Sequence, residues 1–154
     1  MISDMLKQQN VRIVDHVTDW KEAINESLKV LVEQGYVTEE YGKNIVDVTL
    51  EYGPYYVLTE NVALIHGRPE MGVLKKQLAV TVLKQPVKFS EDGYPVRLLV
   101  ALAATDPDSH IDVMQTLAEV FMDEDAIQKI VDSDSTEEIY QSFLNAEKAA
   151  QEEA

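Results

Sequence analysis

Two of the three histidines in this chain, His66 and His110, stand where an imidazole can act as a nucleophile or as a proton donor. His66 follows the apolar run Val62-Ala63-Leu64-Ile65 and precedes Gly67 and Arg68. A run of that kind reads as a buried strand with an exposed side chain at its end. Gly67 supplies a permissive backbone, able to take positive φ and to leave room for a bulky ligand, and Arg68 places a fixed cation two residues beyond the ring. A nitrogen nucleophile with an anion-binding neighbour suits phosphate, so Gly67 and Arg68 are candidate phosphate contacts. A histidine that merely caps a strand fits the same residue types, and those types alone leave both readings open.

His110 comes after a second apolar run, Val96 to Ala104, with Ser109 as the predicted N-cap of a helix that His110 would begin. The positive end of a helix dipole disfavours imidazolium and favours an anion, so a neutral His110 there can donate to a phosphoryl oxygen, with Ser109 beside it. The plainer alternative is a polar helix-start residue facing water. His16 lies between a strand and a helix start and has no comparable setting. The histidines show no HxH or HxxxH spacing, and cysteine is absent, so neither a metal centre nor a thiol nucleophile nor a disulfide is expected. Neither a GxSxG elbow nor a P-loop occurs, which sets hydrolase and nucleotide chemistry aside.

These side chains need elements to hold them. Ser3 to Gln9 suggests a short helix with Met5 and Leu6 as its contacts, and Val11 to Val14 a strand. A helix from Thr18, with Asp19 and Glu22 in its first turn, carries the stripe Trp20, Ile24, Leu28, Leu31 and Val32 and stops at Gly35. Another from Thr38 would bury Tyr41, Ile45, Val48 and Tyr52 and stop at Gly53-Pro54. Tyr41 and Tyr52 read as packing, whereas Tyr55 and Tyr56 either line the site or cover the sheet edge. Residues 68–72 form a loop, Leu78 to Leu83 a strand that Pro86 interrupts, and Val87 to Phe89 an edge extension. Glu91-Asp92-Gly93 is a turn.

Three helices follow. The first starts at Ser109 with Asp112 completing a capping-box-like pair, and buries Ile111, Met114, Leu117, Ala118 and Phe121. The second uses Ala126, Ile127, Ile130 and Val131, and the third, after Ser133 or Ser135, uses Ile139, Tyr140, Phe143 and Leu144. Residues 1–146 then make one domain and 147–154 a fraying, charged helical tail. The pattern predicts an α/β fold, a three-layer α/β/α sandwich with a central mixed sheet. Strand ends cluster along one edge of such a sheet, which would bring His66 and His110 to a common cleft.

Composition narrows the partners. Thirteen Lys plus Arg against twenty-eight Asp plus Glu give a formal charge of -15, which repels nucleic acid and anionic membrane alike. No apolar run is long enough to span a bilayer and no basic-then-apolar leader opens the sequence, so a soluble, cytoplasmic protein is expected.

Gly53-Pro54-Tyr55 and His66-Gly67-Arg68-Pro69-Glu70 resemble the phosphohistidine segment of the type-2 enzyme IIA proteins of the sugar phosphotransferase system, the mannitol and fructose class, and most closely its ascorbate-type branch. Members carry a second histidine shortly after the central strand, in a pattern like Asp106-Pro107-Asp108-Ser109-His110-Ile111 followed by Leu117. The resemblance runs from the first helices to Leu144. It implies a cytosolic phosphocarrier that takes a phosphoryl group from the phosphohistidine carrier protein HPr onto His66, with His110 assisting. The phosphoryl group would then pass to a IIB component for sugar uptake, ascorbate being the sugar suggested, with no cofactor. A regulatory module of the same fold, reporting phosphorylation state to a protein partner, is the alternative. Two departures stand out. Many members have an Arg-Glu pair where this chain has Leu50 and Glu51, and a proline where it has Ile65.

Overall fold

Leu98 to Ala103 and Val62 to Ile65 offer no polar side chain on either face, so a strand built from them must be covered on both sides. A computed structural model shows how. It describes every residue except Pro107, Ser109 and Ala154, and only the backbone of Glu153. Five strands, β1 (Val11–Val14), β2 (Val57–Thr59), β3 (Asn61–Ile65), β4 (Gln77–Lys88) and β5 (Pro95–Ala103), form one sheet in the order β1-β4-β5-β3-β2. The sheet is mixed: β1 runs parallel to β4 and β3 to β5, while β4 with β5 and β2 with β3 are antiparallel.

Six helices cover it: α1 (Ile2–Met5), α2 (Trp20–Glu33), α3 (Glu39–Tyr52), α4 (Ile111–Met122), α5 (Glu124–Asp132) and α6 (Thr136–Glu153). Period-2 alternation sorts the strand residues between two cores. Val62, Leu64, Leu98, Val100 and Leu102 pack with Leu117, Phe121, Ile130 and Phe143 of α4, α5 and α6. Ala63, Ile65, Leu99 and Ala101 pack with Ile24, Leu28, Tyr41 and Ile45 of α2 and α3. Because β3 and β5 are parallel neighbours, with Ile65 opposite Ala101, both leave the sheet at the same edge. One exit leads directly to His66 and the other to the loop before His110.

Several expectations shift in detail. The first helix is only Ile2–Met5, followed by a separate 3-10 turn at Gln8–Asn10. Asp19, not Thr18, caps α2, its carboxylate accepting the Glu22 amide at 2.9 Å, while Thr18 donates to the Glu22 side chain. Tyr52 lies on the inward face of α3 by angle yet, as the last residue of the helix, is 75% exposed. Strand β4 continues through Pro86 instead of breaking there. The paired residues of β1 end at Leu83, and only the Gln85 amide reaches further, to Asp15 O; past that point β4 has β5 alone beside it, with a register shift between Val82 and Val87. A residue lacking N–H is tolerated on such a one-sided, irregular stretch.

Helix α4 is rotated from the expected stripe. It buries Val113, Thr116, Leu117, Val120 and Phe121, and leaves Ile111, Met114 and Ala118 exposed. Apart from the stripe Asp112, Gln115 and Glu119, the helix surface is largely apolar, so periodicity alone admits two faces. Asp112 pairs with the Met1 amino group at 3.0 Å, and that bond holds its carboxyl below the usual range. The residues from Glu147, expected as a fraying helical tail, are helical and continue α6 to Glu153. Glu147 is buried, accepting from the Ile2 amide and, at 3.1 Å, from Ser3 Oγ. It thereby satisfies an amide at the start of α1 that the helix itself leaves unpaired.

Candidate functional site

His66 is the first residue past β3 and is half-buried. Its Nδ1 lies 2.6 Å from Leu64 O. A carbonyl can only accept, so Nδ1 carries the proton and Nε2 keeps the lone pair. Val62 and Leu64 face the α4 layer, and the same alternation sends residue 66 to that side, where α4 begins. His110 is the N-cap of α4, with φ -129°, and its carbonyl accepts the Met114 amide at 2.9 Å. The expectation that Ser109 caps and His110 opens the helix is thus moved by one residue, and Ser109 itself falls outside the described residues. Nor does His110 face water, since it is only 4% exposed.

A cleft of about 390 Å³ brings the predicted residues together: His66, Gly67, Arg68 and His110 line it, along with Asp106 and Met114. Arg68 is exposed, its Nε donating to Glu70 Oε1 at 2.9 Å. Gly67 matters for a different reason from the one expected. It is not among the positive-φ residues, but a Cβ there would meet Met71 Cε at 2.8 Å and Ile45 Cγ1 at 3.2 Å. Its amide, expected to face a phosphoryl group, donates to Tyr41 Oη at 2.8 Å. His16 is exposed beside Asp15, and Leu50 and Glu51 are exposed on α3; none of the three lines the cleft.

Helix α3 secures the loop that follows His66. Asn44 Nδ2 donates to Met71 O at 2.7 Å, and the Thr38 amide to Gly72 O at 2.8 Å. Gly72, at φ 143°, passes so near that a Cβ would lie 2.4 Å from Thr38 Oγ1. Tyr41, taken from the sequence as packing alone, is the part of this arrangement that reaches His66's own peptide. The available signal was general: a buried tyrosine hydroxyl needs a partner, and nothing within its own helix supplies one. Tyr55, left open between two roles, donates to His66 O at 2.5 Å and sets its ring edge-on to the imidazole, centroids 5.5 Å apart. Tyr56 is buried and bonded to Thr49 Oγ1 at 2.8 Å.

Met114 also borders an apolar groove of about 380 Å³ formed with Leu58, Leu117, Ala118, Phe121 and Met122. Ile111 and Met122, at 57% and 84% exposure, extend this bare flank of α4. Among the described residues no helix is long and apolar enough to cross a membrane.

Residues 4–146 match the family model described as phosphoenolpyruvate-dependent sugar phosphotransferase system, EIIA 2. The chain belongs to that family. As an EIIA type-2 chain it is a phosphotransferase component, a phosphocarrier whose family moves phosphoryl groups by way of a phosphohistidine. It is 36% identical to the mannitol-specific cryptic phosphotransferase enzyme IIA component of Escherichia coli, over 90% of this chain and 94% of the relative. It is 32% identical to an ascorbate-specific EIIA component of Shigella boydii, over 82% and 83% respectively. The solved complex of Escherichia coli enzyme IIA mannitol with phosphorylated enzyme IIB mannitol contains a fold matching this EIIA chain with a TM-score of 0.78, at 26% identity, covering 91% of this chain and 97% of the other.

Proposed function

We propose that this EIIA chain carries its phosphoryl group on His66 Nε2, receiving it in the cytoplasm from the phosphohistidine carrier protein HPr and passing it to a cysteine of a IIB partner. The observation that carries the reading is the 2.6 Å approach of Nδ1 to Leu64 O, which leaves Nε2 as the nucleophilic nitrogen of a residue lining the cleft. The lone pair attacks the phosphorus of the incoming phosphohistidine, the donor P–N bond breaks, and the donor imidazole leaves. Charge on the equatorial oxygens is met by His110 at the N-terminus of α4 and by the Arg68 guanidinium, which would turn from Glu70. With the Gly67 amide engaged by Tyr41 and Ser109 outside the described residues, these two side chains are the remaining donors among those predicted. In the second step a IIB thiolate attacks the same phosphorus and the imidazole departs neutral. The exposed apolar flank around Met114, Ile111 and Met122 supports a protein as donor and acceptor, since a small phosphate ester would need no such surface. The sugar we assign is ascorbate, on the ascorbate-type motif at residues 53–55 and 66–70.

Incubation with the upstream phosphorylation system should give an acid-labile, alkali-stable phosphate that is lost in His66→Ala, and retention of the label in that variant would refute the assignment. Draining of the label by an ascorbate-class IIB in preference to a mannitol-class one is the expected outcome for the sugar. The opposite preference would overturn it.

A further inference from the structure

Building on His66 as the phosphoryl acceptor, we infer that Tyr41 and Tyr55 are positioning residues that grip the His66–Gly67 peptide at its two ends and so fix where the imidazole stands. A trans peptide points its C=O and its N–H in opposite directions. Here Tyr55 Oη donates to the carbonyl end at 2.5 Å, and the amide end donates to Tyr41 Oη at 2.8 Å. Tyr41 is wholly buried, and that burial pushes its phenol up to about 12, so it keeps its own proton. That proton goes on to a carbonyl, Leu102 O at 3.2 Å or Gly67 O at 3.3 Å. Leu102 belongs to β5, the strand whose exit leads to His110. With that proton donated to Leu102 O, the relay Tyr55, peptide, Tyr41, Leu102 ties the peptide of one cleft histidine to the strand that delivers the other. The edge-on packing of the Tyr55 ring adds a lateral stop for the imidazole. Losing the bonds at both ends of this peptide would loosen the His66 Cα that carries the ring, and with it the approach of Nδ1 to Leu64 O; a misplacement of an ångström at a reacting atom slows transfer steeply.

Tyrosines that merely stabilise a loop would lower the melting temperature and nothing else. The test therefore uses Tyr41→Phe and Tyr55→Phe in the full chain, with Thr49→Val as a control that breaks the buried Tyr56 hydrogen bond away from this peptide. The readouts are kcat and KM for phosphoryl acceptance from the phosphorylated carrier protein, and imidazole 15N shifts of the unphosphorylated chain. Expected are a kcat lowered about tenfold or more in both tyrosine variants, KM within about twofold, and loss of the uniquely Nδ1-protonated ring. Thr49→Val should lower only the melting temperature. Tyr55 is 44% exposed, so its variant decides the matter even if Tyr41→Phe misfolds. Unchanged kcat and 15N shifts in Tyr55→Phe, with the label lost in His66→Ala, overturn the grip and leave the acceptor assignment standing. Label retained in His66→Ala overturns both.

Discussion

On the proposed reading His66 has Nε2 left for chemistry, because Nδ1 is held by a carbonyl two residues back along its own strand. His110 is placed differently: it is buried at a helix start, where an anion is favoured. If it donates to the phosphoryl group and does not itself accept it, His110→Ala should still be labelled at His66, with single-turnover transfer slowed about 10²-fold. Complete loss of labelling in a folded His110→Ala protein would contradict that division of roles. At this scale the sequence was readable where chemistry and chain position coincide. His66, Arg68 and His110 all reach the cleft. Tyr41 was unreadable because its partners, Gly67 and Leu102, are remote in sequence, and a tyrosine on an apolar helical face gives no sign of where its hydroxyl ends.

Strand β3 and the apolar half of β5 were legible as unbroken apolar runs, and α2 and α5 as clean stripes. Helix α4 was not, because Ile111, Met114 and Ala118 compete with Val113, Thr116 and Val120 for the same period, and only the sheet decides between them. The tail from Glu147 misled in one respect: its charges imply solvent, yet Glu147 turns inward to hold the buried start of α1. Glu147→Ala leaves that amide without a partner under α6. The expected cost is about 1–3 kcal/mol, read as a lower urea midpoint at unchanged m-value. A midpoint equal to the parent's would show that the contact adds no stability.

Two helix layers around one sheet bury the phenols of Tyr41 and Tyr56, and burial pushes each up to about 12. An unfolded chain releases these protons near pH 10, so the native state, which still holds them, has its full advantage below pH 10 and loses it as pH rises toward 12. Stability should fall by up to about 1.4 kcal/mol per pH unit for each group across that window. Denaturant midpoints at pH 9, 10 and 11, followed together with tyrosinate absorbance, check this, and a flat profile between pH 10 and 11 would contradict it. Besides its edge strands β1 and β2, the sheet has one open stretch within a longer strand, the end of β4 past Gln85, where only β5 lies alongside. There the chain places Pro86, which has no amide hydrogen to offer, and Lys88, which is exposed. Such a rim makes a poor template for a foreign strand, so a crowded solution of this carrier is guarded against fibrillar self-association along that stretch.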